Sequence, residues 1–75
     1  MNILIIHDAT IILAWLVNEP IEAAPDHIAN GYPELVERWL EGELTASVLT
    51  VPEADAYASD LYEVIDGAIV RKEAP

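Results

Sequence analysis

The chain has 75 residues, 14 of them acidic and only three basic, and it contains no cysteine. A chain this short forms a single domain, residues 1–75, which buries only ~60% of its unfolded surface. The absence of cysteine excludes disulfides and cysteine-based zinc sites. The formal charge of -11 disfavours nucleic-acid binding through a basic face, and it suits a basic protein partner or a site that collects metal cations.

The amino-terminal segment is apolar enough to raise the question of membrane insertion. Residues 3–17 are interrupted only by His7, Asp8 and Thr10. A membrane-spanning helix needs ~20 apolar residues, and a central aspartate costs ~2.5–3.5 kcal/mol on insertion scales. The first basic residue is Arg38, so a basic signal-peptide start is missing. We therefore expect a soluble, cytoplasmic protein without a membrane partner.

The first two elements are predicted from the stretch "NILIIHDATIILAWLVNEP". Residues 2–6 are apolar without alternation, which is typical of a strand covered on both faces, as in a parallel sheet. Residues 10–18 place apolar side chains at helical spacing, and Pro20 ends that helix. The alternative is a hairpin with residues 10–17 as its second strand, and the lack of Gly or Asn in the turn disfavours it.

The later elements follow from turn formers and apolar spacing. Residues 20–32 predict a loop or short helix, and a helix is expected to start at Pro33 and to end at Gly42. Within that helix, Glu34 is placed to pair with Arg38. Residues 44–50 predict a second strand.

The last part of the chain predicts one more helix. In residues 51–65 one face carries Ala54, Tyr57, Leu61 and Val64. The Asp-Gly pair at 66–67 predicts a turn, and residues 68–71 a short third strand. The expected fold class is therefore α/β, a small β-α-α-β-α unit with a short parallel sheet. In such a sheet Asp8 and Glu53, each following a strand, would converge at one edge.

These motifs together resemble the amino-terminal half of a PIN domain of the VapC toxin type. The first match is Asp8, Ala9 and Thr10 followed by "IILAWL" and "NEP"; the second is "GELTASVLTVPEADAYA", residues 42–58. The resemblance covers roughly residues 2–60. After about residue 60 the chain departs from the family pattern, as if truncated or reworked.

The resemblance implies a metal-dependent endoribonuclease of a toxin–antitoxin system, which would act on RNA. Asp8 and Glu53 would be catalytic ligands of Mg²⁺ or Mn²⁺, and the Thr10 hydroxyl would orient a ligand or water. The remaining acids Asp60, Glu63 and Asp66 do not align with the family's later ligands. Such an enzyme would be incomplete, or a partner chain would supply the missing acids, so the sequence leaves catalysis undecided.

Each candidate residue also has a structural explanation. Asp8 can cap a helix by accepting a hydrogen bond from the amide of Thr10 or Ile11, and Thr10 can be a helix-start hydroxyl. Thr50 and Glu53 have the spacing of a capping box.

The composition supports a second function from a different class. A small, strongly acidic, non-catalytic protein can cover a basic surface of a partner, as nucleic-acid mimics do. In charge and size the chain is similar to phage-encoded inhibitors, including anti-CRISPR proteins. Because a sheet of two or three strands leaves open edges, we also expect a homo-oligomer or a protein partner to complete the core.

Overall fold

A computed structural model describes residues 1–72; the last three residues of the predicted 1–75 domain lie outside the described part. The strands are β1 (Asn2–His7), β2 (Ile12–Val17), β3 (Thr45–Thr50), β4 (Tyr62–Ile65) and β5 (Ala68–Arg71). The α-helices are α1 (Ala24–Gly31) and α2 (Val36–Leu40). Short 3-10 turns cover Ile21–Ala23, Pro33–Leu35, Glu53–Asp55 and Ser59–Leu61. Within residues 1–72 no helix has both the length and the apolarity that crossing a membrane requires.

The first sheet has three strands in the order β2-β1-β3, and β1 pairs antiparallel with both neighbours. The predicted helix over residues 10–18 is wrong, because Ile12–Val17 folds back on β1 as the second arm of a hairpin. Ile5 lies opposite Trp15 on one side and Ser47 on the other. The predicted parallel sheet is replaced by an antiparallel one.

The expected helical crossover exists, but it joins different strands from those predicted. Since β2 and β3 are both antiparallel to β1, they run in the same direction, with β1 inserted between them. The chain from β2 to β3 passes through α1 and α2 on one face of the sheet. The predicted helical crossover therefore connects β2 with β3, which are not hydrogen-bonded to each other.

The central strand is covered on both faces, as its unbroken apolar sequence predicts. On one face Leu4 and Ile6 pack in a cluster with helix residues, including Ile28 of α1. On the other face Ile3 and Ile5 pack with the segment after β3 and with the β4-β5 hairpin. Full burial of Leu4 and Ile5 makes β1 the centre of the core, and each such side chain contributes ~1.5–3 kcal/mol of hydrophobic free energy.

The predicted helix over residues 51–65 is wrong: two 3-10 turns, Glu53–Asp55 and Ser59–Leu61, and strand β4 lie there instead. Strand β4 pairs antiparallel with β5, and Asp66-Gly67 forms the two-residue turn between them. Both turn residues have positive φ, 51° for Asp66 and 80° for Gly67, as a type I′ turn requires. The predicted turn at 66–67 and the strand over 68–71 are confirmed.

The middle of the chain is helical where the sequence predicts it. Residues 20–32 contain α1, and the predicted helix from Pro33 to Gly42 is a 3-10 turn followed by α2. Arg38 of α2 does not pair with Glu34: its guanidinium contacts Asp8 and Glu43 instead. Helix α2 is thereby tied to the loop between β1 and β2.

A matched pair of glycine substitutions tests the turn assignment. Gly67→Ala is expected to destabilise the protein by ~1–2 kcal/mol, because an L residue is strained at a φ of 80°. Gly31→Ala, at the end of α1 and with open space around a new Cβ, is expected to stabilise it by ~0.5–1 kcal/mol. Urea unfolding followed by circular dichroism measures both changes. Opposite signs are expected, and a loss of stability in both variants would contradict the assigned backbone geometry.

Candidate functional site

Asp8, the first predicted metal ligand, organises the loop between β1 and β2. Its Oδ1 accepts hydrogen bonds from the amides of Thr10 at 2.7 Å and Ile11 at 2.8 Å. The Thr10 hydroxyl donates to the same oxygen at 3.0 Å. The Asp8 amide also donates to the Ile11 carbonyl at 3.1 Å, which closes the loop. The carboxylate makes the two amide contacts expected of a helix cap, but at a hairpin loop.

The second oxygen of Asp8 binds an arginine from a distant part of the chain. The Arg38 Nη2 atom donates to Asp8 Oδ2 at 3.0 Å, and Arg38 Nε lies 3.4 Å from Glu43 Oε1. The amides of Thr10 and Ile11, and then the Arg38 guanidinium, hold the pKa of Asp8 well below its usual range. Both oxygens of this carboxylate are therefore engaged by the protein itself.

Glu53, the second predicted ligand, lies at the opposite end of the sheet. In the antiparallel register His7 of β1 is opposite Thr45, and Asn2 is opposite Thr50. Asp8 follows β1 at one end of the strands, whereas Glu53 follows β3 at the opposite end. Convergence of the two carboxylates depended on parallel strands, so the structure does not bring Asp8 and Glu53 together.

The environment of Glu53 also differs from the predicted capping box. The Thr50 hydroxyl donates to Asn2 Oδ1 at 2.8 Å, which ties β3 to the start of β1. Glu53 is exposed and begins a single 3-10 turn after Pro52. Within residues 1–72 no three His, Cys, Asp or Glu side chains are grouped so that they could hold a metal ion.

His7 is a buried histidine whose two ring nitrogens are both hydrogen-bonded. Nδ1 lies 3.0 Å from the carbonyl oxygen of Asp8, and Nε2 lies 3.0 Å from Ser47 Oγ. A carbonyl can only accept, so Nδ1 carries the proton and donates to it. His7 thereby connects the end of β1 with β3 and fixes the start of the Asp8 loop.

A buried carboxylate that the sequence analysis does not single out, Asp55, holds the carboxy-terminal hairpin. Asp55 Oδ2 accepts a hydrogen bond from the Tyr62 hydroxyl at 2.9 Å and another from Arg71 Nε at 3.0 Å. Arg71, and then Tyr62, lower the pKa of Asp55. Burial, and then the neighbouring Asp55 carboxylate, raise the pKa of Tyr62. Arg71, one of only three basic residues in the chain, is the feature of the sequence that could have indicated a paired carboxylate near the carboxy terminus.

The indole of Trp15 completes the contact between the sheet and this hairpin. Its Nε1 donates to the Ala56 carbonyl at 2.8 Å, and its ring lies 5.3 Å from the ring of Tyr62. Trp15 therefore packs against the core on this face of the sheet, and Trp39 of α2 packs against the cluster on the other face.

The two arginines are bound to carboxylates within the chain, and this leaves an acidic surface. Arg38 contacts Asp8 and Glu43, and Arg71 contacts Asp55. Within residues 1–72 the exposed carboxylates are those of Glu22, Asp26, Glu34, Glu37, Glu41, Glu43, Glu53, Asp60 and Asp66. Around α2 they crowd each other, since a hydrogen bond with Glu43 and repulsion from it raise the pKa of Glu41.

An apolar side chain stands within this acidic surface. Leu40, at the end of α2, is 78% exposed. Glu37 and Glu41 are exposed neighbours on the same side of the helix, three residues before Leu40 and one after it. We call Glu37, Leu40 and Glu41 the acidic face.

Substitution of Asp8 tests whether its hydrogen bonds shape the loop. Asp8→Ala removes the acceptor of the Thr10 and Ile11 amides, whereas Asp8→Asn keeps an oxygen for them but loses the charge and the acceptor of the Arg38 guanidinium. We expect Asp8→Ala to lower the urea midpoint clearly and Asp8→Asn to lower it by roughly half as much or less. Asp60→Ala, at an exposed position, is the control and should change little. Equal losses in the two Asp8 variants would show that the charge and the Arg38 contact, and not the amide hydrogen bonds, stabilise the loop.

Comparisons of the chain with models of known protein families, with curated proteins and with solved structures found no match.

Proposed function

We propose that this protein is a small acidic binding protein that covers a basic surface of a partner protein in the cytoplasm. The observation that carries the proposal is the internal use of both arginines, each bound to a carboxylate of the same chain. Of the nine exposed carboxylates in residues 1–72 only Glu43 contacts an arginine, so most of the negative charge faces the solvent with little compensation. A net charge of -11 on so small a molecule attracts basic surfaces and repels nucleic acid.

The acidic face offers the contact chemistry for such a partner. An exposed leucine beside two carboxylates combines an apolar anchor with a charged rim, as in interfaces where an apolar core is surrounded by a polar rim. The charge accelerates encounter with a basic partner and makes association sensitive to salt. Nucleic-acid mimicry is one form of this function, because the partner's basic surface would otherwise bind phosphates.

A pull-down with paired charge variants tests the proposal. The double substitution Glu37→Gln/Glu41→Gln neutralises the acidic face, and Glu22→Gln/Asp26→Asn removes the same charge near the start of α1. We expect wild type to retain a basic protein at low salt and to release it at high salt. The acidic-face variant should lose that protein and the α1 variant should keep it. Retention of no basic protein, or equal retention by both variants, would contradict the proposal.

The endoribonuclease implied by the PIN resemblance stays a prediction with its own test. It requires Mg²⁺ or Mn²⁺ to be shared by Asp8 and Glu53, with Thr10 orienting a ligand, whereas the antiparallel register separates these two acids. The protein and its Asp8→Ala and Glu53→Gln variants are incubated with structured RNA and either metal ion. Because Glu53 is exposed, Glu53→Gln preserves the fold and isolates the chemistry. Cleavage by wild type that is lost in Glu53→Gln would favour the enzyme over the binding protein.

A further inference from the structure

The outer edge of β3 is an unpaired strand edge. Met1 and Val51 exchange two main-chain hydrogen bonds, 2.8 Å and 2.9 Å long, just beyond the end of the β1-β3 ladder. In an antiparallel ladder such hydrogen-bonded pairs alternate with non-hydrogen-bonded pairs. The main-chain groups of Leu49 and Ser47 therefore form hydrogen bonds to β1, whereas the amides and carbonyls of Ala46, Val48 and Thr50 point away from it.

No other part of residues 1–72 satisfies these outward groups. The sheet ends at β3, and the hydrogen bonds outside the ladders do not involve Ala46, Val48 or Thr50 main-chain atoms. Six residues of strand give an edge ~20 Å long. Val48, in the middle of this edge, is 43% exposed.

The β3 edge lacks the features that protect most strand edges from pairing. Proteins usually place charged residues, proline or a bulge on such an edge. Strand β3, with the sequence TASVLT, has no charge and no proline, and its register with β1 is continuous. The opposite edge, β2, is interrupted by a register shift at Ile6/His7. The β3 edge is therefore the better template for an added strand.

The charges around β3 indicate which kind of strand would pair there. Glu43 and Glu53 lie shortly before and after the strand, and both are exposed. At the start of the strand Arg38 compensates Glu43 from 3.4 Å, and Glu41 lies beside it, where a hydrogen bond with Glu43 and then repulsion from it raise the pKa of Glu41. A second copy of this chain would bring another charge of -11 and is disfavoured as the occupant.

We propose that the β3 edge binds an extended, cationic segment of the partner protein as a fourth strand of the sheet. The proposal rests on the proposed function, in that the partner is basic, and it specifies how that partner is held. Main-chain hydrogen bonds to Ala46, Val48 and Thr50 provide affinity independent of sequence. Lysine or arginine near the ends of the segment pairs with the carboxylates that flank the strand.

The test uses a synthetic, fluorescent peptide of alternating lysine and valine, measured by anisotropy. Val48→Pro removes an outward amide without removing a bond to β1, and Val48→Thr keeps that amide with a similar shape. We expect Val48→Pro to weaken binding ~tenfold or more, because it loses one hydrogen bond to the peptide and places the proline ring at the contact. We expect Val48→Thr to change binding less than ~threefold. Circular dichroism verifies that both variants fold.

A second probe avoids any change to the protein. The same peptide with alternate backbone amides methylated keeps its charge but cannot pair as a strand, and it should lose binding to wild type. Equal binding of both peptides, or no binding of either, would overturn the edge proposal. So would a wild-type dimer in light scattering that Val48→Pro converts to monomer, because a second copy would then occupy the edge.

The two proposals fail separately. If the pull-down depends on the acidic face while the methylated peptide still binds, the acidic binding function stands and the edge proposal is wrong. If only the unmethylated peptide binds but no basic protein is retained from cells, the edge is a pairing site and the proposed function is wrong.

Discussion

Replacement of Ile5 by alanine is expected to remove a large fraction of the protein's free energy of unfolding. Ile5 is fully buried at the centre of β1, between two neighbouring strands and under the carboxy-terminal hairpin. Truncation of such a side chain costs ~2–5 kcal/mol. A domain of this length has a total stability of only roughly 4–11 kcal/mol, so a single cavity removes a large fraction of it.

Urea unfolding monitored by tryptophan fluorescence measures the effect. Ile11→Ala is the matched control, because Ile11 has the same side chain but is 52% exposed, and it should cost ~0.5 kcal/mol or less. Leu4→Ala removes a buried side chain from the opposite face and should cost about as much as Ile5→Ala, ~2–5 kcal/mol. A small loss in either buried variant would mean that β1 is not covered on that face.

Acidification below about pH 4 is expected to unfold the protein, through Asp8 and Asp55. Both have a pKa below the ordinary aspartate value when folded, because amides, arginines and a tyrosine hydroxyl bind the ionised form. Each therefore contributes stability above the unfolded-state pKa of ~3.9, and loses it as pH falls towards the folded-state value.

Urea midpoints measured across this pH range test the assignment. Asp8→Asn and Asp55→Asn should each be less stable than wild type near neutral pH. In a plot of urea midpoint against pH, each should also show a smaller fall on the acid side than wild type. Asp60→Asn, at an exposed position, should leave the acid side as in wild type. An unchanged acid side in both Asp8→Asn and Asp55→Asn would show that other groups govern acid unfolding.

The sequence predicts the core better than it predicts the connections. An apolar run without alternation identifies β1 as a strand buried on both faces, and the structure confirms this. Burial on both faces does not require parallel neighbours, however. Here helices cover one face and a hairpin covers the other, so the same pattern arises in an antiparallel sheet.

The hairpin between β1 and β2 is the alternative that the sequence disfavours, because its turn uses a side chain in place of glycine. The Asp8 carboxylate accepts hydrogen bonds from the amides of Thr10 and Ile11, and these bonds stabilise a four-residue loop without Gly or Asn. The residues that suggested a helix cap or a metal ligand have the chemistry of such a loop. Apolar residues over 10–18 fit helical spacing, but β-branched residues and a tryptophan also favour a strand.

The helix predicted over residues 51–65 failed for a reason that the sequence contains. An Asp-Gly pair at 66–67 makes a two-residue turn, and such a turn requires a strand on each side. Recognition of β5 after the turn therefore implies β4 before it, which ends the helical interpretation at Leu61. The Asp55 contacts depend on this hairpin, so they could not be anticipated from local spacing.

Amide hydrogen exchange along β3 tests the arrangement of the sheet most directly. With β1 in the centre and β3 at an open edge, the Ser47 and Leu49 amides should exchange slowly and those of Ala46 and Val48 quickly. Protection of all four would show a strand paired on both sides, and protection of none would show that β3 does not pair with β1.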